Sequence, residues 1–318
     1  MKDICAIFLI LGSVIGAGFA TGREIVVFYV NYGLMGAIGI GFSSVLFILM
    51  FYKYLSCCPN VSAKNKYNNV ILICYIIISG GLIDACGEIN TKVLGVGFNI
   101  IGLITIMLVG VLVLFDIDKI SKFCFYIVPS LIIISILISL LGVWNNINAD
   151  TFVINNSPIE AFIKSILYVG INTLMVSSVL FDVGTKIRNK KLVSICCGVA
   201  FGAIVLILAI FIYCGGESVI NSTIPVYVLS CRAGVIWKYL YLLSLWLAIF
   251  SSLISTIYGI QNCLKMYIGN KLIRVLLSVV ICYIVSLIGF DNIVSVLYPL
   301  IGCIGLIYYT SIFKHVNV

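Results

Sequence analysis

The sequence predicts an all-α integral membrane protein of about ten transmembrane helices. Three observations predict it: the scarcity of charge, the spacing of the apolar runs, and the way cations alternate between those runs. Of 318 residues, 63% are apolar and only 9% are charged, against about 45–50% and about 25% in a soluble domain. So few charges cannot cover the surface of a water-soluble protein this size. Runs of about 20 apolar residues recur from end to end, each long enough to cross about 30 Å of hydrocarbon. Backbone groups inside hydrocarbon must satisfy one another, so the runs are helices rather than open strands.

Hydropathy places the spans at about 4–30, 33–56, 68–90, 95–115, 121–144, 159–183, 191–214, 235–262, 271–289 and 291–313. With the N-terminus inside, 14 of the 19 Lys and Arg fall on the inner side. Lys92, Arg232 and Lys238 fall outside, while Arg23 and Lys164 lie within spans. This bias predicts that both termini are cytoplasmic and that the number of spans is even. Residues 1–318 therefore read as a single multi-pass domain of a cell membrane.

Other classes are disfavoured. The net charge of +8 sits in short connections and follows membrane orientation, so it does not indicate nucleic acid. Thirteen cysteines, an odd number, lie mostly in apolar spans, where they act as small hydrophobes. Cys214 with Cys231 is the single candidate disulfide. No Cys-x-x-Cys or Cys/His cluster suggests a metal centre, and His315 lies in the C-terminal tail. A Walker A sequence is absent, as are a Gly-x-Ser-x-Gly elbow and a His-rich helix, so neither ATP-driven pumping nor an enzyme is expected. The run before Ala17-Gly18-Phe19-Ala20 resembles a secretory signal. Apolar character resumes after Arg23-Glu24 and continues to Val30, which predicts a retained first span.

Ten spans divide into two fives, and an odd number per half turns the second half over. That is the inverted repeat of many secondary transporters, here about 1–145 and about 157–318. Two internal echoes support it. Gly12-Ser13-Val14-Ile15-Gly16-Ala17-Gly18 in span 1 answers Tyr168-Val169-Gly170-Ile171-Asn172-Thr173 in span 6. Tyr126-Ile127-Val128-Pro129 in span 5 answers Val296-Leu297-Tyr298-Pro299 in span 10. Glycine weakens a helix locally, so spans 1 and 6 are expected to break at mid-membrane, where freed backbone groups must line a cavity or bind something. The alternative for Gly12 and Gly16 is close helix packing through small residues.

The run Gly16-Ala17-Gly18-Phe19-Ala20-Thr21-Gly22-Arg23-Glu24-Ile25 resembles the first-helix motif of bacterial YkvI-like membrane proteins. These are similar to the amino acid–polyamine–organocation transporters and to the LeuT-type five-plus-five fold. The resemblance implies a substrate site between spans 1 and 6, flanked by spans 3 and 8. Its candidate residues are Gly16, Ala17, Gly18, Tyr168, Gly170, Asn172 and Thr173. It also implies a sodium site that joins carbonyls at Gly12 and Ile15 to the span 8 hydroxyls Ser251, Ser252 and Ser255, hard oxygen ligands suited to a small cation. The alternative is that these hydroxyls bond their own backbone or glue helices together. Span 5 lacks an internal lysine or acid of the kind that proton-coupled relatives can use, which favours Na+, or no coupling ion at all, over H+. No other cofactor is expected.

Charged residues inside a membrane are costly and mark function. Arg23 and Glu24 lie outward of the span 1 break, and Asp84 and Glu88 share one face of span 3. An outer gate pairing Arg23 with Asp84 or Glu88 is expected. The implied function is alternating-access transport of a small organic solute such as an amino acid or amine. The alternative is a permease-like receptor that binds a solute without moving it, as in subunits of spore germination receptors.

Overall fold

The computed structural model describes residues 2–56, 61–94, 98–145, 157–288 and 297–313, with side chains described except at Ala17 and in 61–66, 88–100 and 312–313. Helix is the regular structure throughout these residues. The first span comprises α1 (Asp3–Val14), α2 (Ala17–Thr21) and α3 (Arg23–Phe28), and a 3-10 turn at Val30–Tyr32 leads into α4 (Gly33–Ser56). There follow α5 (Val61–Leu94), α6 (Phe98–Val113), α7 (Ile117–Trp144), α8 (Pro158–Gly184) and α9 (Lys190–Cys214). Two short helices, α10 (Glu217–Ile220) and α11 (Pro225–Ala233), precede α12 (Val235–Leu264), α13 (Lys271–Ser286) and α14 (Tyr298–Phe313). Counting α1–α3 as one broken span and setting α10 and α11 aside, the described helices make the ten segments expected, in the expected order.

Local sequence explains several boundaries. Pro158 opens α8 behind the N-cap Ser157, whose hydroxyl accepts from the Glu160 amide at 3.4 Å. Asn189 caps α9 through the Leu192 amide at 3.0 Å, and Asn270 caps α13 through the Leu272 amide at 2.9 Å. Each cap satisfies an amide that has no partner within its own helix. Two glycines make the turns around the first span. Gly22 joins α2 to α3 at φ 80° and Gly33 joins the 3-10 turn to α4 at φ 51°, values that side chains with a Cβ rarely adopt.

Four elements form the centre. In α5, α8 and α12, 72–78% of the apolar window is buried, against 33–44% in α7, α9 and the α3–α4 stretch. The second half of α1, Leu9 to Val14, is buried throughout. Spans 1, 3, 6 and 8 are thus enclosed by the others, whose outer faces carry apolar side chains such as Leu49, Ile133, Val199 and Ile284. An apolar surface of this kind is suited to lipid rather than water.

Polar clasps close both ends of the bundle. At the basic end, Asp3 accepts from the Arg188 and Asn189 amides at 3.0 and 3.1 Å, which ties the start of α1 to the α8–α9 connection. Lys186 bridges Asp118 at 2.8 Å, and the Asp182 carboxylate accepts from the Tyr258 hydroxyl. At the opposite end, Arg232 donates to the Gly215 carbonyl at 2.8 Å and to Ser218 Oγ at 2.7 Å, which fixes α10 and α11 over the helix ends.

One expectation is corrected: the sixth span does not break. α8 runs unbroken from Pro158 to Gly184 through Gly170, Asn172 and Thr173. The polar side chains there bond back to their own helix, Asn172 Nδ2 to the Tyr168 carbonyl at 2.9 Å and Thr173 Oγ1 to the Val169 carbonyl at 2.6 Å. Gly170 serves helix contact. A Cβ at Gly170 would strike the Gly302 carbonyl, one at Gly302 would lie 2.8 Å from the Leu167 carbonyl, and one at Gly305 would strike the Gly170 carbonyl. The close-packing explanation weighed for span 1 therefore applies to α8 against α14.

Two consequences can be measured by thermal unfolding in detergent. Gly170→Leu should destabilise the protein by about 1–3 kcal/mol, because backbone cannot move aside as a side chain can. Lys186→Met should cost no more than about 1 kcal/mol, since the pair it breaks is half-exposed.

A broken first helix against a belt of hydroxyls

The first span breaks where its glycines predict, over a shorter stretch than expected. Gly12 stays helical, and a Cβ there would strike Val128 of α7. The helix ends at Ile15 (φ −79°, ψ 75°) and Gly16 (φ −96°, ψ −161°), then restarts at Ala17. Gly18 lies in α2 rather than in the break. A further interruption at Gly22 divides α2 from α3. The span is thus three short helices joined at Gly16 and Gly22.

Ending α1 inside the bundle leaves the carbonyls of its last turn without helical partners. Hydroxyls on α12 meet them. Ser251 Oγ donates to the Gly12 carbonyl at 2.9 Å, and Ser252 Oγ approaches the Gly12 and Ser13 carbonyls at 3.4 and 3.5 Å. Ser13 Oγ donates to the Leu9 carbonyl at 2.7 Å and bonds the hydroxyl of Ser255. Behind them, Ser79 of α5 donates to Thr256 Oγ1 at 2.8 Å. All six hydroxyl residues are at most 2% exposed. Gly16 is part of the contact, since a Cβ there would lie 2.6 Å from Ser252 Oγ.

The arrangement can present several oxygens to one point. Ser251 has a second acceptor, the Ala248 carbonyl at 2.9 Å. With its proton on that carbonyl, its oxygen lone pairs become free beside the Gly12 carbonyl. Carbonyl and hydroxyl oxygens at the C-terminal end of a helix make a cation-favouring environment. Asn172 and Thr173 return hydrogen bonds to the Tyr168 and Val169 carbonyls of their own helix. Farther along α12, Gln261 donates to Ser278, while its side-chain oxygen is buried without a hydrogen-bond partner among the described residues.

The structure brings together Gly12, Gly16, Ser251, Ser252 and Ser255, and adds Ser13 and Ser79, which the sequence reading did not single out. Ile15 forms the break itself, its amide bonded back to the Leu11 carbonyl. Ser13 was within reach of that reading, since it lies in the glycine run. Ser79 is one serine in an apolar helix, and only its contact with Thr256 gives it a place. Tyr168 is fully buried beside the break, between Phe28 and Tyr29, with ring centroids at 5.1 and 5.4 Å. Ala17 and Glu88 lie outside the described side chains.

The expected pairing of Arg23 with Asp84 is not formed. Gly22 turns left-handed just before Arg23, whose guanidinium donates to the Ser222 carbonyl beside α11 at 3.5 Å. Asp84 is buried on α5. Glu24 is not at an outer surface either. It is 8% exposed, and its carboxylate turns back over Gly18, filling the space a Cβ there would take. Lys164 lies over the Phe28 ring, 5.8 Å from its centroid. An apolar groove of about 430 Å³ between α4 and α9 is lined among others by Leu34, Leu206, Tyr213 and by Tyr29, whose ring also packs on Tyr168.

No family model matches the chain. The chain is 25% identical over 333 residues to the membrane protein YkvI of Bacillus subtilis (strain 168), covering 94% of this chain and 92% of that protein. It is 23% identical over 320 residues to YyaD of the same organism, with the same coverage. Among solved structures it matches the inward-facing conformation of Mhp1, a LeuT-fold transporter, with a TM-score of 0.65 and 13% identity. That match covers 98% of this chain and 76% of Mhp1. The chain is YkvI-like in sequence and LeuT-like in fold.

Proposed function

We propose that the chain is a secondary transporter that moves a small organic solute, such as an amino acid or amine, by alternating access, with sodium as the coupling ion. The observation that carries this reading is the break in the first span, whose freed carbonyls at Gly12 and Ser13 face Ser251 and Ser252. A helix is rarely interrupted in hydrocarbon unless the exposed groups line a cavity or hold a ligand. The fold it shares with Mhp1 supports the same reading, because broken spans at the midplane are where such folds bind substrate and ion.

The residues divide the work as follows. α1 supplies carbonyls and α12 hydroxyls to the cation, so a bound sodium ties the moving first span to its neighbour. Substrate binds on the other side of the break, against α2 and the Tyr168 region of α8. Gly16 and Gly22 are the joints at which α1, α2 and α3 change their angles. The clasps of Asp3 with the α8–α9 connection and of Arg232 with Gly215 are the contacts that must open alternately. The protein sits in the cytoplasmic membrane of a bacterium with both termini inside, as its lysine bias indicates.

In this account sodium raises the thermal stability of the purified protein and potassium does not, since a ligand of the folded state stabilises it. Ser252→Ala should weaken sodium affinity about tenfold, equivalent to about 1.4 kcal/mol, while leaving stability in potassium nearly unchanged. Gly16→Ala should weaken it further, because the added methyl meets Ser252 Oγ. A sodium effect that survives both substitutions places the ion elsewhere. Flux of solute into proteoliposomes separates transport from ligand sensing: saturable binding without uptake selects the receptor reading.

A further inference from the structure

Glu24 is a buried carboxylate that no cation neutralises among the described residues. It lies at the start of α3, and Gly22 turns it inward so that its carboxylate rests on Gly18 of α2. The polar group that faces it is the Tyr168 hydroxyl of α8. That hydroxyl is itself fully buried and makes no hydrogen bond of normal geometry among the described residues. Tyr29 and Tyr298 also lie within electrostatic reach of Glu24. The nearest cations in sequence and space are engaged otherwise: Arg23 with the Ser222 carbonyl, and Lys164 over Phe28.

A carboxylate removed from water without a counter-charge is strongly disfavoured, so such a group takes a proton or a cation. Three features favour an organic cation. Three tyrosines, Tyr29, Tyr168 and Tyr298, lie near the position, and aromatic rings attract cations. The carboxylate and the Tyr168 hydroxyl can both accept N–H bonds, which a quaternary ammonium cannot supply. Finally, the position adjoins the α1–α2 break, on the α2 side and away from the hydroxyls that α12 directs at α1. We propose that Glu24 is the counter-charge for the protonated amine of the substrate, with Tyr168 as its second acceptor. The solute is then a primary or secondary amine, and a carboxylate on it is dispensable. This deepens the transporter reading by naming its substrate class, but amine binding at Glu24 can be tested without transport.

The test is a thermal-stability series on the purified full chain with isobutylamine, putrescine and leucine. Isobutyrate serves as the carboxylate control and tetramethylammonium as the quaternary control. The amines should raise the Tm by several degrees and the two controls should not. Glu24→Gln should abolish the amine response while leaving the ligand-free Tm equal or higher, because a buried acid without a counter-charge is replaced by a neutral side chain of the same shape. Glu24→Asp, which keeps the charge on a shorter arm, should retain the response at about tenfold weaker affinity. Gly18→Ala keeps Glu24 but places a methyl where its carboxylate rests, and it should weaken the response as well. The proposal is overturned if no amine stabilises the protein, if isobutyrate does so equally, or if Glu24→Gln keeps the full amine response. Proteoliposome flux separates the two readings. Amine binding without uptake removes transport and keeps the Glu24 assignment; uptake of a carboxylate unaffected by Glu24→Gln does the reverse.

Discussion

Breaking a helix within hydrocarbon leaves carbonyls that water cannot reach, and the centre of this molecule is arranged around satisfying them. The last turn of α1 ends at Ile15, and the carbonyls of Gly12 and Ser13 turn toward Ser251 and Ser252. A backbone group left unpaired at that depth costs several kcal/mol. The α1–α12 contact therefore constrains the neighbours in turn. Ser255 must meet Ser13, Thr256 must meet Ser79 of α5, and Gly16 must lack a side chain so that Ser252 can approach. The three helices that touch this belt are among the most enclosed in the bundle.

The same economy explains why α8 stays whole. Its glycine at 170 and its polar pair at 172 and 173 look like a second break when read along the chain. In space, Gly170 admits the backbone of α14, and Asn172 and Thr173 return their hydrogen bonds to the preceding turn. The first and sixth spans therefore differ: the first is jointed, and α8 is continuous, with Tyr168 packed on Phe28 and Tyr29. The interruptions of the backbone lie at Gly16 and Gly22, while α4, α7 and α9 run without a break.

Local signals explain what was legible in the sequence. Hydropathy and the cation pattern marked the spans, because each span must satisfy the membrane by itself. The glycines at 12, 16 and 18 marked the first break within a few residues, and the serines of α12 stood out as adjacent hydroxyls in an apolar run. Non-local contacts hid the rest. Whether Gly170 bends a helix or packs one depends on Gly302 and Gly305, far away in the chain. The direction of Arg23 and Glu24 depends on one left-handed residue, Gly22, which sends the arginine toward Ser222 and the glutamate back over Gly18. Ser79 carries no pattern of its own and gains meaning from Thr256 across the bundle.

The claim on which the account turns is that a small cation joins the end of α1 to the hydroxyls of α12. Amide hydrogen exchange, compared in sodium and in potassium, addresses it at the residues concerned. Sodium should slow exchange at Ile15 to Gly18 and at Ser251 to Thr256, and leave the Gly170 region of α8 unchanged. Equal exchange in the two salts, or protection centred on α8 instead, would contradict it.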